Sequence, residues 1–486
     1  MTDLSATAPD IAKPSAATLF PWMAPPKGTL RALFGTVLAA DVLLWDTAWG
    51  LGLVLLVIAM AGTVAFLLRP DFSTRSAKIA LTLFALSLLP AIEYVQPLSL
   101  LFMALGLAVF SIWCATLKIV LPLKALCFTF LAPLTALRDI PVSAANTPVR
   151  RGIGTLVVRW MRILAVPFGV GAIFVALLSG ANPVLQSWLQ SGSGLQLPDI
   201  NGLRVMFWMT CAVSIWSFIA PSSLARIADT GLALRKDVPT RSRNGLLSAE
   251  SITTSLVLFN VIFAAQNLMD AQYLWFHRAL PEGITYSEYA HRGANALALA
   301  AVLAGGFALL VRRWSERPLL RVLLGLWIGQ TLVLMVSALL RLDLYVDAYG
   351  LTRLRLTALF AMALIAAGLL LIGWQVWQRK SNAWLGKRIG IVAGVALYGL
   401  CFVNVAAVIA TQQLKRSLLV PDLFDHRYVC ADLGREAYVA ILLFQTETGI
   451  RRCALDQNAL PLTKDWRAWS FRHARMDSQI AIARGY

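Results

Sequence analysis

The feature that most constrains this chain is a succession of continuous apolar runs, each close to twenty residues long, separated by short basic connections. A run of that length matches the hydrocarbon thickness of a bilayer when it is wound into a helix. In lipid the backbone must satisfy its own hydrogen bonds, so such a run can only be a helix or part of a closed barrel. The runs are unbroken rather than alternating, which excludes barrel strands. Composition agrees: of 486 residues, 58% are hydrophobic and 14% charged, far from the balance of a soluble domain. This excludes a cytosolic enzyme, a disordered chain and a collagen-like fibre.

The expected fold is therefore all-α, a polytopic transmembrane bundle of about eleven spans with a small extracytoplasmic C-terminal domain. The spans are read at 32–46, 50–68, 78–93, 98–116, 163–180, 204–220, 252–270, 294–311, 320–340, 354–374 and 389–410. Residues 1–30, with Pro21, Pro25 and Pro26, read as a disordered tail without a signal-peptide pattern. The transmembrane domain is expected over 31–411 and the soluble domain over 412–486.

Residues 119–137 are apolar but carry Pro122, Lys124 and Pro133, and if they span, every later segment inverts. Basic residues arbitrate, because they favour the cytoplasmic side. With eleven spans and a cytoplasmic N-terminus, thirteen later basic residues fall inside. They are Arg226, Arg235, Lys236, Arg241, Arg243, Arg312, Arg313, Arg317, Arg321, Arg379, Lys380, Lys387 and Arg388. Six fall outside: Arg204, Arg278, Arg292, Arg341, Arg353 and Arg355. The stretch 119–137 is accordingly read as an interfacial or re-entrant pair. The alternative is that it spans and 32–46 or 78–93 does not. The net charge of +18 reflects these loops rather than a nucleic-acid surface.

Of six cysteines, Cys114, Cys127, Cys211 and Cys401 lie in apolar segments. Cys430 and Cys453 lie in the tail, where an oxidising compartment would favour a disulfide between them. Two free thiols in a cytoplasmic tail are the alternative.

Catalytic signatures are missing: no phosphate-cradling Gly-Lys loop, no Gly-x-Ser-x-Gly elbow and no His-Glu-x-x-His helix. The four histidines, His277, His291, His426 and His473, share no ligand spacing, so no metal and no cofactor is expected. Membrane lipids are the partners the composition implies, nucleic acid is not, and no protein partner is identifiable.

Charges at membrane depth are the candidate functional groups. Asp41 lies within the first segment, Glu93 ends the third and Asp270 the seventh. Two outer connections are dense in polar groups. One runs from Asp270 through Tyr286, Glu288, Tyr289 and Arg292. The other holds Arg341, Asp343, Tyr345, Asp347, Tyr349, Arg353 and Arg355, with Arg341, Tyr345 and Tyr349 on one face of a helix lying edge-on to the bilayer and Gly350 as its stop. Asp41 and the twelve charged and tyrosine residues named in these two connections form the candidate polar site. It reads either as a cleft for a polar or anionic head group, or as a network that pins helix ends with tyrosines at the interface.

Tyr286-Ser-Glu-Tyr-Ala-His-Arg-Gly293 resembles a Tyr-x-Glu-Tyr-Ala-x-Arg-Gly signature of a bacterial membrane-protein family catalogued as domain of unknown function 4173, related to 4153. Tyr345-Val-Asp-Ala-Tyr-Gly-Leu-Thr-Arg-Leu-Arg355, the Asn260 to Gln266 helix, and Asp41 with Leu43, Leu44 and Gly50 resemble further parts of it. The resemblance spans roughly 30–480, with the tail matching in part at Tyr428, Leu433, Gly434 and Ala437. It implies a bacterial inner-membrane location, with the N-terminus cytoplasmic and the C-terminus periplasmic by the charge argument, and it implies no activity. Three roles compete: transport, export or lipid handling; sensing or assembly through the outer tail; and an enzyme on lipid-linked substrates with Glu288 or Asp343 as base.

Overall fold

In the computed structural model the chain is described at residues 28–120, at scattered positions of 124–140, and at 202–220, 249–276, 286–311, 317–455 and 465–483. At 249, 286–296 and 423 the backbone alone is described. Among the described residues the regular structure is helical throughout, with no strands. The α-helices are α1 Thr29–Leu44, α2 Leu51–Leu68, α3 Arg75–Glu93, α4 Pro97–Thr116, α5 Gly202–Ile219, α6 Ala249–Asp270, α7 Tyr286–Val311, α8 Pro318–Tyr349, α9 Arg353–Trp377, α10 Asn382–Leu400, α11 Val405–Arg416, α12 Tyr438–Thr448 and α13 Phe471–Ala483.

Among the described residues, eight helices are long and apolar enough to cross a membrane: α2 to α6 and α8 to α10. The protein is an all-α polytopic helical bundle embedded in the membrane. Its apolar surface points outward as well as inward: Phe66, Leu310, Leu370 and Val395 are all exposed, as side chains facing lipid rather than water are. Helix α1, at 16 residues, is shorter than a full crossing, and the part of α7 whose side chains are described, Leu297–Val311, is a shorter apolar helix. The expected span 163–180 lies outside the described residues, and 119–137 is described only at scattered positions.

Two expectations change. The last span was placed at 389–410, but α10 stops at Leu400 and a new helix, α11, starts at Val405. Asn404 caps it, its side chain accepting a hydrogen bond from the Ala407 amide at 3.0 Å. Such a cap satisfies an N–H that a continuous helix would have used internally. Second, Arg341–Tyr349 is no separate edge-on helix: it continues α8, which runs 32 residues. At 1.5 Å per residue that is about 48 Å, well beyond the roughly 30 Å hydrocarbon core.

The chain divides into two compact units, Met1–Asp237 with Thr463–Ala474, and Val238–Leu462 with Arg475–Tyr486. In the first, α3 and α4 form a close hairpin. Gly106 of α4 lies directly against Ser87 of α3, leaving no room for a Cβ, the small-residue contact that lets membrane helices approach. The turn between them is tight because Gln96 and Ser99 form a reciprocal capping box and Pro97 opens the helix. In the second unit, α8 packs against α6, α7 and α9. The tail after α10 joins one core with the membrane helix ends: Val346 and Leu351 pack with Ile409, Leu414, Phe424, Val429, Leu433, Ile441 and Phe444. Cys430 and Cys453 are joined by a disulfide with Cα atoms 5.5 Å apart.

Candidate functional site

In the second unit, α6 and α8 share a seam of polar side chains inside an otherwise apolar contact. Asn260 donates to the carbonyls of Leu256 at 2.7 Å and Leu323 at 3.1 Å. The Gln330 amide reaches Asn260 Oδ1 at 3.3 Å, and Asn267 donates to the Gln330 carbonyl at 3.2 Å. One turn further, Gln266 donates to Asp270 at 2.9 Å, and Arg341 pairs with the same carboxylate. Asp270 is fully buried and Arg341 is 4% exposed. Below a few per cent exposure water cannot solvate either charge, so each depends on the other and on the surrounding dipoles.

Asp270 ends the α-helix and begins a π-turn over Ala271–Trp275, in which the indole of Trp275 donates to Ser337 of α8 at 3.2 Å. π-turns inside helices recur at functional sites, because one inserted residue reorients the side chains around it.

The rest of the predicted site in this unit gathers at the α8–α9 turn. Gly350 sits there at φ +78°, with the Gln413 side chain where a Cβ would be. The Arg355 guanidinium lies over Tyr345, 4.4 Å from the ring centroid, and 5.8 Å from that of Tyr349. It donates to the carbonyls of Tyr349, at 2.9 Å, and Gly350. Arg416 of α11 donates to the Ala348 carbonyl. Arg353 reaches Leu433 O at 2.9 Å, and its amide donates to the Tyr428 hydroxyl at 2.8 Å. Cations thus sit on the carbonyls at the C-terminus of α8, where the helix dipole is negative. Asp343 and Asp347 are exposed on the same helix. Tyr286, Glu288, Tyr289 and Arg292 belong to the first two turns of α7, and their side chains lie outside the description.

Asp41 belongs to the other unit and to a different cluster. It accepts hydrogen bonds from Arg204 Nε at 2.9 Å, Arg204 Nη2 at 2.5 Å and the Trp208 indole at 2.9 Å. The guanidinium stacks near Trp45 and Trp208, at 5.5 and 5.7 Å from the rings. At the same end of this unit the C-terminal segment returns. The Leu51 amide donates to Trp469 O at 2.9 Å. Arg467 donates to the Val42 carbonyl at 2.7 Å. Arg472 pairs with the buried Glu93 at 3.3 Å and stacks on Tyr94, whose ring meets His473 edge-on. Arg467 also grips Asp465, and its hydrogen bond holds that carboxyl below the usual carboxylate range, helped by the Arg467 amide.

The predicted set therefore divides. Asp270 joins Arg341; Tyr345, Tyr349, Arg353 and Arg355 form the turn; Asp41 stands with Arg204. Sequence reasoning missed Arg204, Trp208, Arg416 and Arg472, and the roles of Asn267 and Gln330. Asp270, Arg341 and the Asn260–Gln266 pattern were the signals pointing to the α6–α8 seam. Among the described residues no cluster of three or more His, Cys, Asp or Glu is placed to hold a metal ion.

The family model described as domain of unknown function (DUF4153) matches residues 32–443, most of the chain. This is the second of the two related families that the signatures suggested. No curated protein and no solved structure matches the chain.

Proposed function

We propose a role for this chain on the premise that it belongs to the DUF4153 family: a multi-pass protein of a bacterial inner membrane, acting in transport, export or lipid handling in the cell envelope. The observation that carries the reading is the Asp270–Arg341 pair, fully desolvated between two membrane helices and followed at once by a π-turn. A hydrophobic pair of similar size would serve packing as well or better. Ionisable groups kept at membrane depth mark pathways and moving elements instead. The N-terminus is assigned to the cytoplasm and the tail to the periplasm. The bias of basic residues toward one set of loops and the Cys430–Cys453 bridge both support that assignment.

The test is reconstitution of the full chain in liposomes, with two readouts: transbilayer movement of a fluorescent lipid and proton flux. Asp270→Asn and Arg341→Gln should each abolish the wild-type signal while the proteins still elute as single folded species. Wild-type protein inactive in both readouts, or an active Asp270→Asn variant, overturns the reading.

A second reading, as sensor or assembly partner, draws on the tail, which is stapled by a disulfide and shares its core with the ends of α8 and α11. A chain lacking residues 415–486 that inserts normally but loses its cellular role supports it; full function of that chain removes it.

A further inference from the structure

We infer that the α8–α9 turn binds the phosphate of an anionic membrane lipid through Arg353, Arg355 and Arg416. This rests on the lipid-handling reading above and names the ligand class for one part of that candidate site.

Three arginines are anchored around this turn. Arg355 and Arg416 are anchored on carbonyls of three successive residues, Ala348, Tyr349 and Gly350. Arg353 is anchored on Leu433. Among the described residues no ion pair to a carboxylate is seen for any of the three, unlike Arg204–Asp41, Arg341–Asp270, Arg467–Asp465 and Arg472–Glu93. The partial charge at the end of α8 offsets about half of one positive charge, so an excess remains. Each guanidinium carries five N–H donors and spends one or two here. The carbonyls fix the cations in place, which lowers the ordering cost of ligand binding.

The surroundings give the depth. Tyr349 is 52% exposed, Leu354 80% and Leu419 84%. Leu418 and Val420 are also exposed, immediately after Lys415 and Arg416. Apolar side chains turned outward beside clustered cations and tyrosines are the arrangement of a membrane interface. Apolar groups there meet acyl chains while cations meet head groups. Asp347 and Asp432, each exposed and one residue before an anchoring carbonyl, that of Ala348 and that of Leu433, are the nearest carboxylates in sequence to this cluster and oppose an anion.

The test is lipid retention by the full chain in detergent, read by native mass spectrometry during titration with phosphatidylglycerol or phosphatidylcholine. Wild type should retain the anionic lipid about tenfold more strongly, and each Arg→Gln change should erode that preference several-fold, as loss of one charge-assisted contact implies. Arg355 and Arg416 also cap α8, so their loss can unsettle the fold. Asp347→Asn breaks no observed bond and should raise the preference about twofold; Arg416→Lys should keep most of it. Equal retention of both lipids, or a preference unchanged in Asp347→Asn and in the glutamine variants, overturns the site. Displacement by inorganic phosphate without lipid preference overturns the lipid assignment in favour of a soluble phosphate compound. Retention is read without flux, so lipid binding with no flux would sink the transport reading alone, and flux with no preference would sink this site alone.

Discussion

Arg467 Nη1 donates a hydrogen bond to the backbone carbonyl of Val42, 2.7 Å away across 425 residues of sequence. Val42 follows Asp41, so the C-terminal segment holds the helix end that carries the Asp41–Arg204 pair. The same segment grips the start of α2 through main-chain groups: Leu51 N donates to Trp469 O, and Gly50 lies against the backbone of Ala468 and Trp469.

Gly50→Ala tests that clasp. A Cβ there would stand 2.5 Å from Ala468 O and 2.7 Å from Trp469 O. Neither atom can yield, since both belong to backbone. The segment should detach, and limited trypsin should cleave after Arg467 about tenfold faster than in wild type, corresponding to about 1.4 kcal/mol of lost docking. Gly50→Ala with wild-type cleavage rates would show that the close approach does not hold the segment.

The same clasp should depend on pH at its acid end. Asp465 has its pKa lowered from 3.8 by the Arg467 side-chain hydrogen bond first and the Arg467 amide second. A depressed folded pKa adds stability above the unfolded value, and this is lost as pH falls through the folded one. The clasp should therefore be unaffected from neutral pH down to about 4 and loosen below it. Hydrogen exchange over residues 465–474, corrected for intrinsic rates, should show the loosening in wild type. It should be absent in Asp465→Asn, which is already loosened at neutral pH.

Breaking the Asp270–Arg341 pair on one side leaves a buried charge alone. Asp270→Leu or Arg341→Met should each cost about 3–5 kcal/mol. The double variant, with both charges gone, should recover most of that loss. Thermal stability in detergent measures all three. Recovery of stability without recovery of flux would separate the role of the pair from its packing.

The Cys430–Cys453 bridge closes a loop across a sequence separation of 23. A closure of that size is worth about 3 kcal/mol, so reduction should lower the thermal midpoint of the tail. In intact cells, a variant keeping these two cysteines alone should react with a membrane-impermeant thiol reagent only after reduction. Labelling that requires permeabilised cells would move the tail to the cytoplasmic side.

Gly106→Ala should weaken the α3–α4 hairpin, because its new methyl group would fall on the Ser87 side chain. Ser87→Gly in the same chain should restore stability by giving the space back, whereas Ser87→Ala should not, since its Cβ stays in the way.

What the sequence determined alone was the class of fold and most helix positions. Lipid offers no hydrogen bonds, so an apolar run of twenty residues has one economical backbone conformation, and helices such as Leu51–Leu68 and Pro97–Thr116 follow from composition and length. It also marked Asp41, Glu93 and Asp270 as charges that needed partners. It did not say which: Arg204, Arg472 and Arg341 lie 163, 379 and 71 residues away. Nor did it mark the break at 401–404, where Asn404 caps a new helix within an apolar stretch, or the Ala348 carbonyl that receives Arg416. A hydropathy pattern reports how a segment meets its solvent. Which guanidinium meets which carboxylate depends on how helices distant in sequence come to lie side by side, and only tertiary packing decides that.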